Sequence, residues 1–242
     1  MASGSQRSIA RVTEIGRVAT RHGFGYPVER RRAPDANGDG DRGRRLREML
    51  DELGPTFVKF GQLLSTRPDV VPLDIIVELQ ELQDDVTPFP IEDVERVVRE
   101  DLGLGIEQAF LSFDERPIAA ASLGQVHRAT LRNEEDVVVK VQRPTAPRQI
   151  ESDLKLMASV ARLVRERVRQ LDFLDTGELV DEFARSIRQE LDYQQEARNA
   201  ETFRRNFAGN DGVAVPRVWW RYTTSRLLTL ERPEGTHVRD LD

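Results

Sequence analysis

Residues 118–129 read IAAASLGQVHRA, and after a polar turn residues 137–142 read VVVKVQ. Short runs rich in Val and Ile, bounded by turn formers, predict strands at about 113–121, 123–131 and 137–142, with a turn at 132–136, as an antiparallel meander. Four small residues, Ala119, Ala120, Ala121 and Ser122, stand where two of these strands meet. There a backbone can approach a bound group closely and turn its N–H groups toward phosphate oxygens. A tight strand turn would select the same small residues, so the alanines alone do not choose. Lys140 sharpens the question, because an ammonium in an otherwise apolar strand must find a partner or be costly to bury.

Working outward, the chain before this meander reads as helical. Leu46, Met49, Leu50 and Leu53 form one stripe, Gly54-Pro55 interrupts it, and further helices are predicted at about 56–64, 72–82 and 91–102. Glu92 and Asp93 suit the positive end of the last of these. Residues 27–43 are dense in Arg, Pro, Asp, Asn and Gly and read as a mobile linker. Before it, Ile9, Val12, Ile15 and Ala19 recur at helical spacing beside Arg7, Arg11, Arg17 and Arg21. Such a basic amphipathic helix either packs on its own protein or meets an anionic membrane surface. After the meander, helices are predicted at about 148–168 and 177–207, then strands at 213–223 and 226–231.

Composition narrows the function classes. The chain has 242 residues, 38% hydrophobic and 32% charged, enough for one fair-sized core or two small ones. A formal charge of -6 argues against a general nucleic-acid binder. The absence of cysteine excludes disulfides, thiolate metal sites and cysteine catalysis, and three histidines far apart in sequence, His22, His127 and His237, argue against a zinc cluster. No metal site is predicted. No run of about 20 apolar residues and no signal-peptide pattern occurs, so the expected location is cytoplasmic, with peripheral contact at the inner membrane as the second expectation for the basic helix.

Lysine is rare here: Arg supplies nearly all the positive charge, and only Lys59, Lys140 and Lys155 break the pattern. Lys155 fits a solvated helix face. Lys59 lies in KFGQ, residues 59–62, and a supply of acids for the other lysines lies in QELDYQQEARN, residues 189–199. On one continuous helix Glu190 and Asp192 diverge, whereas Asp192 and Glu196 share a face. A strand lysine beside a small-residue loop, paired with a helix glutamate, is the way protein kinases hold nucleotide phosphates.

These separated motifs, in this order over about residues 45–235, resemble the UbiB/AarF family of atypical protein-kinase-like proteins, which is associated with isoprenoid quinone (ubiquinone) biosynthesis. The resemblance implies an α+β fold: a helical N-terminal extension packed on a protein-kinase-like small lobe, with a five-stranded antiparallel sheet and long helices. It divides the chain into residues 1–26, the basic helix; 27–43, the linker; 44–111, the extension; 112–235, the small lobe; and 236–242, the start of a large lobe absent from the chain. Ala119, Ala120, Ala121 and Ser122 match the family's alanine-rich loop over the phosphates, Lys140 its nucleotide-binding lysine and Glu196 the helix glutamate that pairs with it. Lys59, Gly61 and Gln62 match the K-x-G-Q signature of a helix folded over the active site, and Glu190 and Asp192 the E-x-D signature. Lys59 would then be held by acids of the long helix, Glu190 foremost.

The implied cofactor is ATP or ADP with Mg2+, the metal ligands coming from the large lobe; the implied partners are nucleotide and, by analogy, quinone-biosynthesis proteins. Phosphoryl transfer requires a catalytic aspartate with a metal-binding asparagine and a further metal-binding aspartate, and none can be placed here. HVRDLD, residues 237–242, imitates the kinase catalytic motif but has one residue too many between His and Arg. The expectation is therefore an N-terminal portion that does not turn over by itself, with an apolar patch along Val218, Trp219 and Trp220 or the inner faces of the extension. The alternative reading is a non-catalytic module that binds a protein partner or a membrane surface.

Overall fold

The computed structural model describes residues 2–24, 39–82, 86–167 and 176–235. Its helices are α1 (Ala2–Arg21), α2 (Asp39–Leu53), α3 (Pro55–Leu64), α4 (Leu73–Gln80), α5 (Ile91–Leu102), α6 (Ile106–Ala109), α7 (Ala146–Arg167), α8 (Thr176–Glu190) and α9 (Tyr193–Asn206). The strands are β1 (Phe110–Phe113), β2 (Ala119–Ala120), β3 (Gly124–Leu131), β4 (Asp136–Gln142) and β5 (Leu227–Glu231). They fall into two compact units: Met1–Asp84 with Pro147–Arg185, and Asp85–Ala146 with Ser186–Asp242. Residues 27–38 of the expected linker and the HVRDLD segment lie outside the described residues, whereas Asp39–Gly43 open α2, so the helix begins inside the stretch read as linker.

The first unit is helical. Gly54, at φ 94, sits in the left-handed region that lets α2 stop and α3 start on Pro55, which needs no N–H partner at a helix start. Leu50, Leu53, Phe57, Val58, Ile76, Leu79 and Leu82 are buried, as are Ile150, Leu154 and Met157 of α7. Helix α1 joins this core through Val18, and Arg11 makes a bidentate contact to the buried Asp153 at 2.9 and 3.2 Å. Thr56 Oγ1 donates to the same carboxylate at 2.8 Å, and Arg11 also donates to the Leu53 carbonyl at 2.7 Å. Val18 of α1 is thus buried in the first unit, whereas Val12 of the predicted apolar stripe is 50% exposed.

The second unit is built on the meander. All pairs are antiparallel in the order β1-β3-β4-β5, with β2 also on β3, which makes a five-stranded sheet. The period-two pattern of β4 decides its faces. Val137, Val139 and Val141 pack with Ala129, Leu131 and Leu227 against Val94, Val97 and Val98 of α5. On the opposite face Leu228 and Leu230 meet Tyr193, Ala197 and Ala200 of α9, spaced to fall on one stripe of that helix.

Three local expectations change. The stretch 113–121 is not one strand: β1 ends at Phe113, a polar loop follows, and β2 holds only Ala119–Ala120. The stretch 213–223 makes only a single bridge, Val218 to Leu230, before a turn of 3₁₀ helix at Trp220–Tyr222. Pro216 offers no N–H to a ladder, which stops a strand from forming there. Val218 is buried with Tyr193 and Leu228 and Trp219 packs on the α5-side cluster, so of the expected patch only Trp220 is strongly exposed.

One polar network lies inside the α5 face. His127, fully buried, places Nδ1 2.7 Å from the Asp114 carbonyl and Nε2 3.0 Å from Gln125 Nε2. These partners fix the tautomer: Nδ1–H donates and Nε2 accepts. Gln125 in turn accepts from Phe89 N at 2.8 Å. Burial pushes the imidazole below its ordinary value of 6.5, with the Asp114 carbonyl opposing. Below pH 6.5 the unfolded chain therefore binds a proton that the folded chain refuses, and stability falls with acidification until the folded imidazole itself titrates. We expect a loss of about 1.4 kcal/mol per pH unit in that window from this one group. Urea unfolding of the wild type and His127→Gln between pH 7.5 and pH 5 checks it; equal slopes in the two proteins would show that His127 does not carry the effect.

Candidate functional site

Lys140 occupies the fifth position of β4, on the face shared with α9, opposite Leu228 of β5 and Val126 of β3. Its ammonium donates to Glu196 Oε2 at 2.7 Å and stands 4.7 Å from the centre of the Tyr193 ring. The lysine side chain keeps 32% of its exposure and Glu196 47%, so the pair is partly solvated rather than buried as the apolar strand suggested. That is the geometry a ligand needs. An ammonium has three N–H donors, and one carboxylate leaves donors for an anion.

What aims Glu196 is a break between helices. The sequence reads as one helix across residues 177–207, but α8 ends at Glu190 and α9 starts at Tyr193. Asp192 is the N-cap of α9: its Oδ1 accepts from Gln194 N at 3.1 Å, and Arg198 reaches its Oδ2 at 3.3 Å. Gln142 at the end of β4 donates to the Leu191 carbonyl at 2.6 Å, and Tyr193 N donates to Ser225 O at 3.0 Å. These bonds pin the break to the sheet. Glu190 and Asp192 are thus a helix end and a cap, and Asp192 does not share a helical face with Glu196.

Ala119 and Ala120 pair with Val126 and Gln125, and Ala121 N donates to Gly124 O at 2.8 Å, closing a tight turn with Ser122 and Leu123 at its tip. Arg143 N anchors the Leu123 carbonyl at 2.8 Å. Ala119 is exposed, Ala120 and Ala121 are half-buried and Ser122 is buried. Both limbs of the loop are held in the sheet, and Ala119 at the start of the first limb is exposed.

Gly124 and Tyr193, which the motif reading passed over, pack beside the Lys140–Glu196 pair. Tyr193 is 1% exposed, its Oη has no hydrogen-bond partner among the described residues, and a Cβ at Gly124 would run into that oxygen and come within 2.6 Å of the Val141 carbonyl. Burial raises the phenol well above its ordinary value, and Glu196 and then Glu190 push the same way. A glycine inside a strand pattern was the available signal.

Lys59, Gly61 and Gln62 lie on α3 in the first unit. Gly61 is packed so closely on Leu50 and Leu82 that a methyl there would collide with both side chains, and Gln62 Nε2 donates to the Leu82 carbonyl at 3.1 Å. Both hold α3 to its neighbours. Lys59 is half-buried.

Residues 81–242 match the model of the ABC1 atypical kinase-like domain. The chain belongs to the ABC1 atypical kinase-like family. Among its ABC1 relatives, the probable protein kinase UbiB of Cellvibrio japonicus is 46% identical over 200 residues, covering 83% of this chain and 36% of that protein. The probable protein kinase UbiB of Xanthomonas oryzae is 43% identical over 254 aligned residues, 97% of this chain and 46% of the relative. The chain thus spans less than half the length of these curated relatives. Among solved structures it is similar to the Mycobacterium tuberculosis Rv3197–erythromycin complex, with a TM-score of 0.55 and 29% identity over 77% of this chain and 47% of that one. The α+β architecture and the antiparallel sheet described above are thus a kinase-like ABC1 fold, and among the described residues no helix is long and apolar enough to cross a membrane.

Proposed function

We propose that the chain supplies the phosphate-holding half of a nucleotide site, for ATP or ADP with Mg2+, in an ABC1 kinase-like protein that supports isoprenoid quinone biosynthesis. The observation that carries this reading is the Lys140–Glu196 pair at 2.7 Å, partly open to solvent on the sheet that also bears the Ala119–Ser122 turn. Lys140 would donate to phosphate oxygens, Glu196 would hold its ammonium in place, and the backbone of Ala119, Ala120, Ala121 and Ser122 would cover the phosphates. Mg2+ would neutralise phosphate charge. Lys59, Gly61, Gln62, Glu190 and Asp192 are proposed as a regulatory motif of the same protein. A peripheral place at an anionic membrane would rest on the exposed arginines of α1, because Val18 is already buried within the first unit.

Calorimetric titration of the chain with Mg2+ and ATP or ADP tests the reading. Lys140→Ala is expected to weaken binding about tenfold or more, the loss of a charge-assisted hydrogen bond, and Glu196→Gln to weaken it less. A wild-type chain that binds neither nucleotide, or a Lys140→Ala chain that binds as well as wild type, would favour the non-catalytic module that takes a protein or membrane partner.

A further inference from the structure

The first unit contains a chamber of about 370 Å³ that is unrelated to the nucleotide reading. Among the described residues its walls come from α1 (Ile15, Ala19), α2, α3, α7 (Met157, Ala161) and α8 (Leu179, Val180). Every lining side chain is apolar except Thr176, and the Thr176 hydroxyl already donates to the Ala161 carbonyl at 3.2 Å. Among the described residues, no other lining side chain carries a polar atom. Phe24 and Val160, 44% and 47% exposed, mark the side on which the chamber opens, while Leu50, Leu53, Phe57 and Met157 close the inner side.

Close-packed interiors carry few voids larger than a water molecule. Apolar cavities of about 150 Å³ stay dry and take up hydrocarbons, and small-molecule sites begin at about 300 Å³. We infer that this chamber binds a single aliphatic chain, its apolar end among Leu50, Leu53 and Met157 and its other end at the mouth by Phe24 and Val160. Methionines in the wall, Met49 and Met157, can adjust to a flexible occupant. The inference also accounts for α1. Arg11 on Asp153 fixes that helix in place, so that Ile15 and Ala19, one helical turn apart, form one wall of the chamber.

The test uses the whole chain with dodecanol below its aggregation limit, read by calorimetry and by the shift in melting temperature. Saturable one-to-one binding is expected, with the α,ω-diol of the same length about tenfold weaker or worse, because its second hydroxyl must enter a wall without partners. Ala161→Phe, or Leu179→Trp should that variant fail to fold, fills the chamber. Either is expected to weaken dodecanol about tenfold while the melting temperature without ligand stays equal or rises. A lysophosphatidylcholine with the same chain distinguishes a lipid tail from a free chain, both of which fit the proposal. No saturable binding by the wild type, equal binding of the diol, or undiminished binding by a folded filled variant would overturn it.

Discussion

Asp153→Ala is expected to destabilise the first unit by about 3–5 kcal/mol, the range for removing one partner of a buried ion pair. Asp153 is 1% exposed and accepts from Arg11 on both oxygens and from Thr56 on one. Its removal leaves the Thr56 hydroxyl without this acceptor and the Arg11 guanidinium, 18% exposed, held by Glu14 and the Leu53 carbonyl. Arg11→Met should cost a comparable amount by leaving the carboxylate unmatched. The combination Arg11→Met with Asp153→Leu should cost much less than the two together, since apolar side chains of similar volume can replace a buried pair. Urea unfolding of the four proteins closes the cycle. Strict additivity would show that the contact at 2.9 Å contributes nothing of its own.

The same pair shows what a sequence can and cannot say. The spacing of Val12, Ile15 and Ala19 made α1 amphipathic, but an apolar stripe does not say what covers it. What fixes the helix in place is polar, the contact of Arg11 with a carboxylate 142 positions away, and no local pattern carries that separation. In contrast VVVKVQ was legible because alternate valines share one face of a sheet, and Lys140 stood out as the exception on the other face. The Lys140–Glu196 pairing came from the resemblance together with the scarcity of lysine. The break at Leu191–Asp192 was not legible, since the residues around it keep helical spacing throughout. It is made by Gln142 on the Leu191 carbonyl and by Tyr193 N on Ser225 O, bonds from a strand and a loop distant in sequence. Residues 213–223 failed for the opposite reason: apolar and aromatic composition predicted a strand, and Pro216 removed the donor that a ladder needs.

Gly124→Ala is expected to be the most damaging single methyl in the second unit, at about 3 kcal/mol, toward the upper end of overpacking costs. The added carbon meets two atoms of different kinds. One is the Val141 carbonyl, backbone of the central strand at 2.6 Å, which can yield only by distorting β4. The other is Tyr193 Oη, whose ring supports the Lys140 ammonium. Tyr193→Phe removes that oxygen, and because the buried hydroxyl has no partner among the described residues the substitution should be neutral or stabilising by up to about 1 kcal/mol. The double variant should then recover the share of the loss due to the Oη collision and keep the share due to the strand. A non-additive cycle in chemical unfolding is the expected result, and additive changes would mean that Gly124 and Tyr193 do not meet. Nucleotide titration separates packing from function: Gly124→Ala should weaken Mg2+–ATP binding by displacing the ring beneath Lys140. Tyr193→Phe, which keeps the ring, should leave that binding as it was; if it fell as far as in Gly124→Ala, the hydroxyl itself would be the group that matters at the site.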